Sequence, residues 1–524
     1  MLKELNLNKR DYIYLLFITV ISTILVIYYM NFNYNFGIYC SDVFIYLLNA
    51  LYYTGTNIGV TKQIFLSPVI CFLTSLLFKL GLQEKLAIYI VTSVFAILGN
   101  IGLYLLLKRF FNETLSLTGT IIYSTLSLNL TWLANGTLDI PGVAVTIWIM
   151  LFLILAIKEN PKYFSLTIPL FVIGVFTRYT VILILPAMLL YYVYEKGFTI
   201  EKADLKYIII GILISAIIFM IIFTTISSMG QNKIEATNQV FNGISGKQGS
   251  NMDPAYNTDK GYYLMNYLNF ISNSNTSFIK GNPTLQNATP LSWLFIGLLL
   301  IGGLLWLKQQ DIKIKKKDLI PIALLIMGAL SFGHVSSVLT MIFILLGLYL
   351  IGKDCENKIP YFMLGWFLVN FIFFSYYDIK VNRYIITTFP PLIYFFLCSI
   401  NEINEKIKIN GNILPIILIT LFLIQGFAFT ATFEQTNDYK NLELMSNYVI
   451  ENHPDYVDGG IGVYNIRPYS WYLCGKTLGI KSNEPEKIDQ ANITYYISDK
   501  DVNLTNFTEI KQIDKLHLFK RTVE

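Results

Sequence analysis

Charge is what this chain has least of. Only 14% of its 524 residues are Asp, Glu, Lys or Arg, against about a quarter in soluble proteins, so much of it is solvated by something other than water. Histidine is rarer still, at three residues, and His334 is the only one among the apolar segments. The five cysteines (Cys40, Cys71, Cys355, Cys398 and Cys474) are scattered. They have neither metal-type spacing nor a disulfide framework, which leaves no zinc motif to build on. No G-x-x-x-x-G-K-[ST] phosphate loop occurs, which argues against ATP-driven transport within this chain.

Apolar residues make up 54% of the sequence and the mean hydropathy is +0.53. Runs long enough to span hydrocarbon, roughly 17–25 residues each, recur from Tyr12 to about Thr432. The chain reads as a polytopic membrane protein. Its first run, after Arg10, reaches about Met30 without a small-residue cleavage pattern, so it is expected to be a retained span. The net charge of +5 comes largely from basic loops on one side of the membrane and needs no nucleic acid to explain it.

Lys3, Lys9 and Arg10 before the first span place the N-terminus in the cytoplasm. The ambiguity in topology is 64–82, nearly long enough to span. Counting it as a span would turn the Lys315–Lys317 cluster outward; treating it as a juxtamembrane helix puts Lys108, Arg109 and every later basic loop inside. On that count spans are expected at 12–30, 86–107, 115–133, 141–157, 164–177, 179–194, 207–228, 291–307, 319–332, 335–351, 360–376, 384–400 and 413–432, about 13 in all. The expected fold is therefore an all-α polytopic membrane domain over 1–432, with juxtamembrane helices in its first external loop. Residues 433–524 form a small external α/β domain with a helix at 442–452 and strand-like runs at 460–464, 493–497 and 516–519. Residues 229–290 read as a long polar external loop without apolar periodicity over much of its length, either a functional lid or disordered.

The candidate functional residues are charges at span ends, where such groups are costly enough to be suspects by default. Asp42 opens an apolar-periodic stretch, 42–53, that reads as an amphipathic helix on the membrane surface, and it could simply cap that helix. Asp139 lies in the turn before Pro141, and Arg178 and Tyr179 lie between two closely spaced helices. Lys380 and Arg383 open another span with Asp378 beside them, and His334 occupies a further turn. The topology gathers all of these at one face. Guanidinium groups there could stabilise a lipid-phosphate leaving group, and a carboxylate could take the proton of an attacking nucleophile. Each also has a plainer role, the arginines snorkelling to headgroups and Asp378 pairing with a neighbouring cation.

This pattern resembles the GT-C class of integral-membrane glycosyltransferases, most closely the protein O-mannosyltransferase and aminoarabinose-transferase branch. The landmarks are an acid opening the first external loop (Asp42), the Leu66–Gly81 juxtamembrane segment, Asp139-Ile140-Pro141, Phe176-Thr177-Arg178-Tyr179-Thr180-Val181 and Lys380-Val381-Asn382-Arg383-Tyr384-Ile385 with Pro390-Pro391. The resemblance covers roughly 1–430. It implies transfer of a sugar from a polyprenyl- or dolichyl-phosphate carrier to a protein, glycan or lipid acceptor outside, with inversion. Asp42 would be the general base, Asp139 the candidate second carboxylate, and Arg178, Tyr179, Lys380, Arg383 and His334 candidates for holding the donor. Many members of the branch carry an Asp-Glu pair at the first motif, whereas Val43 follows Asp42 here. The family is mixed on metals, so a divalent cation is left open and no other cofactor is implied.

Two rivals compete with this reading. A flippase or transporter of a lipid-linked sugar would need no chemistry, but no internal repeat is visible and the charges cluster at one face rather than along a path. An oligosaccharyltransferase would need a WWDYG-type element; the nearest stretch, Trp471-Tyr472-Leu473-Cys474-Gly475, lacks the acid.

Overall fold

The computed structural model describes residues 7–56, 63–229, 259–273, 288–309, 319–377, 380–407, 411–433 and 439–522. Helix α1 (Lys9–Phe36) starts at a capping box. The Asn8 side chain accepts from the backbone of Arg10 and Asp11, and Asp11 accepts in return from the Asn8 amide. The first loop holds α2 (Ser41–Thr54) and α3 (Pro68–Lys79), and the chain then enters α4 (Lys85–Leu107). Next come α5 (Glu113–Thr125), α6 (Ser127–Thr131), α7 (Asp139–Lys158), α8 (Phe164–Thr177), α9 (Leu185–Lys196) and α10 (Lys202–Ser228). After α11 (Tyr262–Ser272), the second half of the bundle is α12 (Pro290–Gln309), α13 (Leu319–Ser331), α14 (Ser337–Gly352), α15 (Ile359–Tyr376), α16 (Phe389–Ile407) and α17 (Ile413–Thr432).

Eight helical segments among the described residues are long and apolar enough to cross a membrane, and the protein is a multi-pass membrane protein. Every expected span falls on helix, but two are interrupted and three are shorter than the roughly 17–25 residues of a full span. The 115–133 segment breaks at Leu126, whose ψ of 131° is extended. The 179–194 segment begins as a 3-10 turn over Tyr179–Ile184 before continuing as α9. Those at 164–177, 319–332 and 335–351 become α8, α13 and α14, of 14, 13 and 16 residues.

Ion pairs mark the two ends of the bundle. At one end Lys108 reaches Asp11 at 3.6 Å and Glu113 at 3.3 Å, Arg109 pairs with Glu159, Lys158 with Glu195, and Lys196 lies 3.5 Å from Asp204. At the other end lie Asp42, Asp139, Arg178 and Arg383. Helix α3 stays at this second end. Its 12 residues rise only about 18 Å, short of the roughly 30 Å hydrocarbon core. Ser67 Oγ before it donates to the Thr177 carbonyl at 2.9 Å, and Phe78 near its other end stacks on Trp471 at 5.9 Å.

Helix α2 differs from a surface-lying amphipathic helix: Val43 through Tyr52 are all buried. Its outer side is covered by the C-terminal unit, where the Phe44 ring meets Tyr439 at 5.5 Å and Tyr472 at 5.6 Å. That unit comprises α18 (Lys440–Asn452), α19 (Tyr456–Gly459), β1 (Ile461–Val463), α20 (Ile466–Tyr472), β2 (Thr477–Gly479), α21 (Pro485–Gln490), β3 (Tyr495–Ser498), β4 (Phe507–Ile513) and β5 (Leu516–Arg521). The sheet order is β2-β1-β3-β5-β4, with β1 parallel to β2 and β3, and β5 antiparallel to β3 and β4. Met445, Val449, Val463, Tyr495, Ile497 and Leu518 form its own core.

The long segment after α10 also departs from the sequence expectation. Within it, α11 buries Tyr262, Tyr263, Asn266, Asn269 and Phe270 on one side. The rest of the 229–290 stretch, read from sequence as either a functional lid or disordered, lies mostly outside the described residues, as does Asp378.

Candidate active site

Four of the candidate side chains form one alternating chain of charges. Arg383 Nη2 donates to Asp42 Oδ2 at 2.6 Å, and Arg383 Nε lies 3.4 Å from Asp139 Oδ2. Asp139 Oδ1 accepts from Arg178 Nη1. The order is therefore Asp42, Arg383, Asp139, Arg178, two carboxylates and two guanidiniums. Asp139 and Arg383 are buried, with side-chain exposures of 3% and 7%, Arg178 is partly buried at 9%, and Asp42 is 39% exposed. Buried ions are tolerated when paired in this way, and the exposed end of the chain is a carboxylate.

Local structure explains how each group arrives. Asp42 stands in the first turn of α2 and Asp139 opens α7, positions where the helix dipole favours an acid. Asp42 is not the cap of its helix: Cys40 occupies that position and makes no side-chain capping bond. Gly136 makes the turn before Asp139 with φ +84°, and a Cβ there would sit 3.0 Å from Val43 of α2. Gly142, one turn into α7, lets Arg178 lie against the helix, since a Cβ there would fall 2.9 Å from Arg178 Cδ and 3.1 Å from its Cβ.

Arg383 is the most heavily supported. Its guanidinium lies 5.0 Å over the Trp132 ring and 5.7 Å from Tyr384, and Nη1 donates to Cys40 Sγ at 3.1 Å. Trp132 Nε1 donates to the Asn382 side-chain oxygen at 3.0 Å, tying the ring to the residue before Arg383. Helix α11 braces the same turn, with Tyr263 Oη donating to the Val381 carbonyl at 2.9 Å and Tyr267 Oη bonding Thr388 at 2.6 Å. Arg178 lies 5.3 Å over Tyr384 from its own side.

The other candidates make contacts outside this chain of charges. Tyr179 Oη donates to the Phe65 carbonyl and so pins the first loop near α3. Buried Lys380 donates to the Tyr377 carbonyl within its own turn. His334 is exposed in the turn between α13 and α14, with its backbone amide on Ser331 at 3.0 Å. Trp132, Cys40, Asn382 and Gly142 were not singled out from sequence. A tryptophan at a span end reads as part of the interfacial belt, and only the fold shows that it underlies an arginine 251 positions later.

Two further groups beside Asp42 are held neutral. Burial pushes the Cys40 thiol above its ordinary value, partly opposed by the Arg383 guanidinium, and burial pushes the Tyr46 phenol well above its own. Neither is a base near neutral pH, which leaves the carboxylate. Asp42 and Asp139 do not form a cation site as arranged, because the Arg383 guanidinium bridges them where a metal would have to bind. The one group of three metal-type ligands among the described residues, Asp501, Glu509 and His517, lies in the C-terminal unit.

The sequence profile of the family described as dolichyl-phosphate-mannose-protein mannosyltransferase matches residues 66–224, a stretch that includes Asp139 and Arg178. No match is found among curated protein sequences. Among solved structures, ArnT from Cupriavidus metallidurans bound to undecaprenyl phosphate superposes with a TM-score of 0.59 at 9% identity, over 96% of this chain and 97% of that one. Its apo state gives 0.61 at 9% identity over the same shares. The apo oligosaccharyltransferase from Archaeoglobus fulgidus gives 0.51 at 11% identity, over 93% of this chain and 69% of that one. With the bundle, the first-loop helices and the C-terminal unit all included in the ArnT superposition, this chain has the fold of the GT-C class of integral-membrane glycosyltransferases.

Proposed function

We propose that this protein is an inverting glycosyltransferase that moves a sugar from a polyprenyl-phosphate carrier to a hydroxyl or amine acceptor at the membrane face bearing Asp42. The observation that carries the reading is the Asp42–Arg383–Asp139–Arg178 chain: a solvent-reaching carboxylate beside two guanidiniums held in place by a buried acid. The undecaprenyl phosphate bound by ArnT supports a carrier of that type here.

In the proposed step the acceptor oxygen or nitrogen attacks the anomeric carbon and its proton passes to Asp42. The new bond to that carbon forms as the bond to the phosphate oxygen breaks. The electron pair stays on that oxygen, and the lipid monophosphate leaves with increased negative charge. Arg178 and Arg383 each carry five N–H donors in a planar fork suited to phosphate, and they are already oriented by Asp139, so little reorganisation accompanies charge development. Asp139, with both oxygens engaged, serves to position them. The basic-residue bias of the loops puts the N-terminus in the cytoplasm, and with it the Asp42 face and the C-terminal unit outside.

The test is lipid-phosphate release from a purified sample given labelled polyprenyl-phosphate sugars, for wild type and Asp42→Asn. The reading expects release that depends on Asp42. Undiminished release in the variant removes Asp42 from the mechanism, and movement of the intact donor across the bilayer without release makes the protein a transporter.

A further inference from the structure

On the far side of α2 from Asp42, a cleft of about 460 Å³ opens between the end of α1, the first loop, the start of α4 and the C-terminal unit. That is the size of a small-ligand site, many times the roughly 30 Å³ share of one water. Its wall combines Glu84, Lys85, Lys440 and Glu443 with the rings of Trp471 and Tyr472. The charged groups are fixed rather than floating. Lys85 Nζ bonds Glu443 at 2.6 Å with both side chains largely buried, and Lys440 reaches Glu443 at 3.3 Å and the Asn35 carbonyl at 3.1 Å. Tyr34 Oη donates to Glu84 at 3.0 Å. Helix α2 is shared between the cleft and the proposed reaction site: Leu51 lines the cleft and Asp42 lies nine residues earlier on the same helix. Nine residues are about 13 Å of rise and half a turn out of phase.

We propose that this cleft is a carbohydrate subsite, holding sugar units of a glycan acceptor away from the reacting hydroxyl. The inference rests on the glycosyltransferase reading above. Two carboxylates and two lysines balance in charge, which disfavours a strongly charged occupant. Interleaved donors and acceptors suit hydroxyl groups, each of which gives and takes a hydrogen bond, and Trp471 and Tyr472, whose rings also pack on Phe78 and Phe44, add apolar surface for the C–H groups of a sugar ring. None of the lining residues belongs to a strand, so an extended peptide finds no sheet edge to pair with. The separation from Asp42 means that a monosaccharide cannot occupy both places.

Cys474 provides the readout. It lines the cleft and is exposed, whereas Cys40 and Cys71 are buried and Cys355 and Cys398 half-buried. Alkylation of Cys474 by a maleimide is followed by mass spectrometry in the purified full chain, without donor. The additions are mannose, mannotriose, chitotriose and a Ser/Thr-rich hexapeptide. A trisaccharide at about ten times its Kd is expected to slow alkylation about tenfold, and mannose at the same concentration much less. Lys440→Gln and, separately, Glu84→Gln are expected to abolish the protection. Absence of protection by either trisaccharide, protection by the peptide alone, or undiminished protection in both variants overturns the proposal. Because no donor is present, failure here leaves the Asp42 reading standing, and failure of lipid-phosphate release leaves this measurement readable.

Discussion

Arg383 donates to Asp42 at 2.6 Å across 341 positions of sequence, and the same guanidinium lies 3.4 Å from Asp139. The first loop, the start of α7 and the entrance to the 382–407 span are thus tied at one point. That point has a single solvent-reaching acid, and the consequences of removing each member differ.

On the reading of Asp42 as the base, its loss is a defect of chemistry alone. Asp42→Asn keeps the shape and the half-exposed position, so turnover is expected to fall about 10²–10⁴-fold with little change in melting temperature or in the affinity for donor lipid. Steady-state kinetics beside a thermal melt distinguish this from a folding defect.

Asp139→Asn should behave in the opposite way. It leaves Arg178 and Arg383 buried without their shared counter-charge, a change that costs about 3–5 kcal/mol when one partner of a buried pair is removed. The melting temperature is expected to drop well below that of Asp42→Asn. Equal melting temperatures for the two variants would show that Asp139 does not carry the cluster.

Gly142→Val tests the close approach of Arg178 to α7. A Cβ at 142 already intrudes to 2.9 Å on Arg178 Cδ, and the larger side chain should swing the guanidinium away from Asp139. The expected result is a donor KM raised about tenfold or more, since a misplaced phosphate ligand loses a charge-assisted bond worth about 1.5–3 kcal/mol. An unchanged KM would mean that Arg178 does not meet the donor.

Sidedness can be read with a membrane-impermeant maleimide in intact cells. Leu80 is 82% exposed at the end of α3, and a cysteine there should react from the same side as Cys474. A cysteine at Arg10 should react only after permeabilisation. Labelling of Leu80→Cys from the opposite side to Cys474 would make α3 a true span.

Much of this was readable in the sequence because hydrocarbon imposes strict rules. Apolar runs mark the helices, and the Lys313–Lys317 loop together with Lys108 and Arg109 decided that 64–82 should not be counted as a span. The structure accordingly keeps α3 at the Asp42 end. Asp42, Asp139, Arg178 and Arg383 stood out because charges at span ends are few. What stayed hidden depends on contacts between distant segments. Trp132 looks like any interfacial aromatic until Arg383 is laid over it, and Gly142 like any small helix residue until Arg178 is placed. Burial of α2 on both sides needed the C-terminal unit, and α11 was masked by the polar composition around it. Lys380, Tyr179 and His334 had the right residue types near the right turns, but their side chains or turns make other contacts.

The most direct measurement of the central claim is single-turnover release of lipid phosphate in wild type, Asp42→Asn, Arg383→Lys and the double variant. If the carboxylate and the guanidinium act on one transition state, each single variant loses about 10²-fold or more, and the double variant loses clearly less than the product of the two. Full additivity, or wild-type release in Asp42→Asn, would contradict the account.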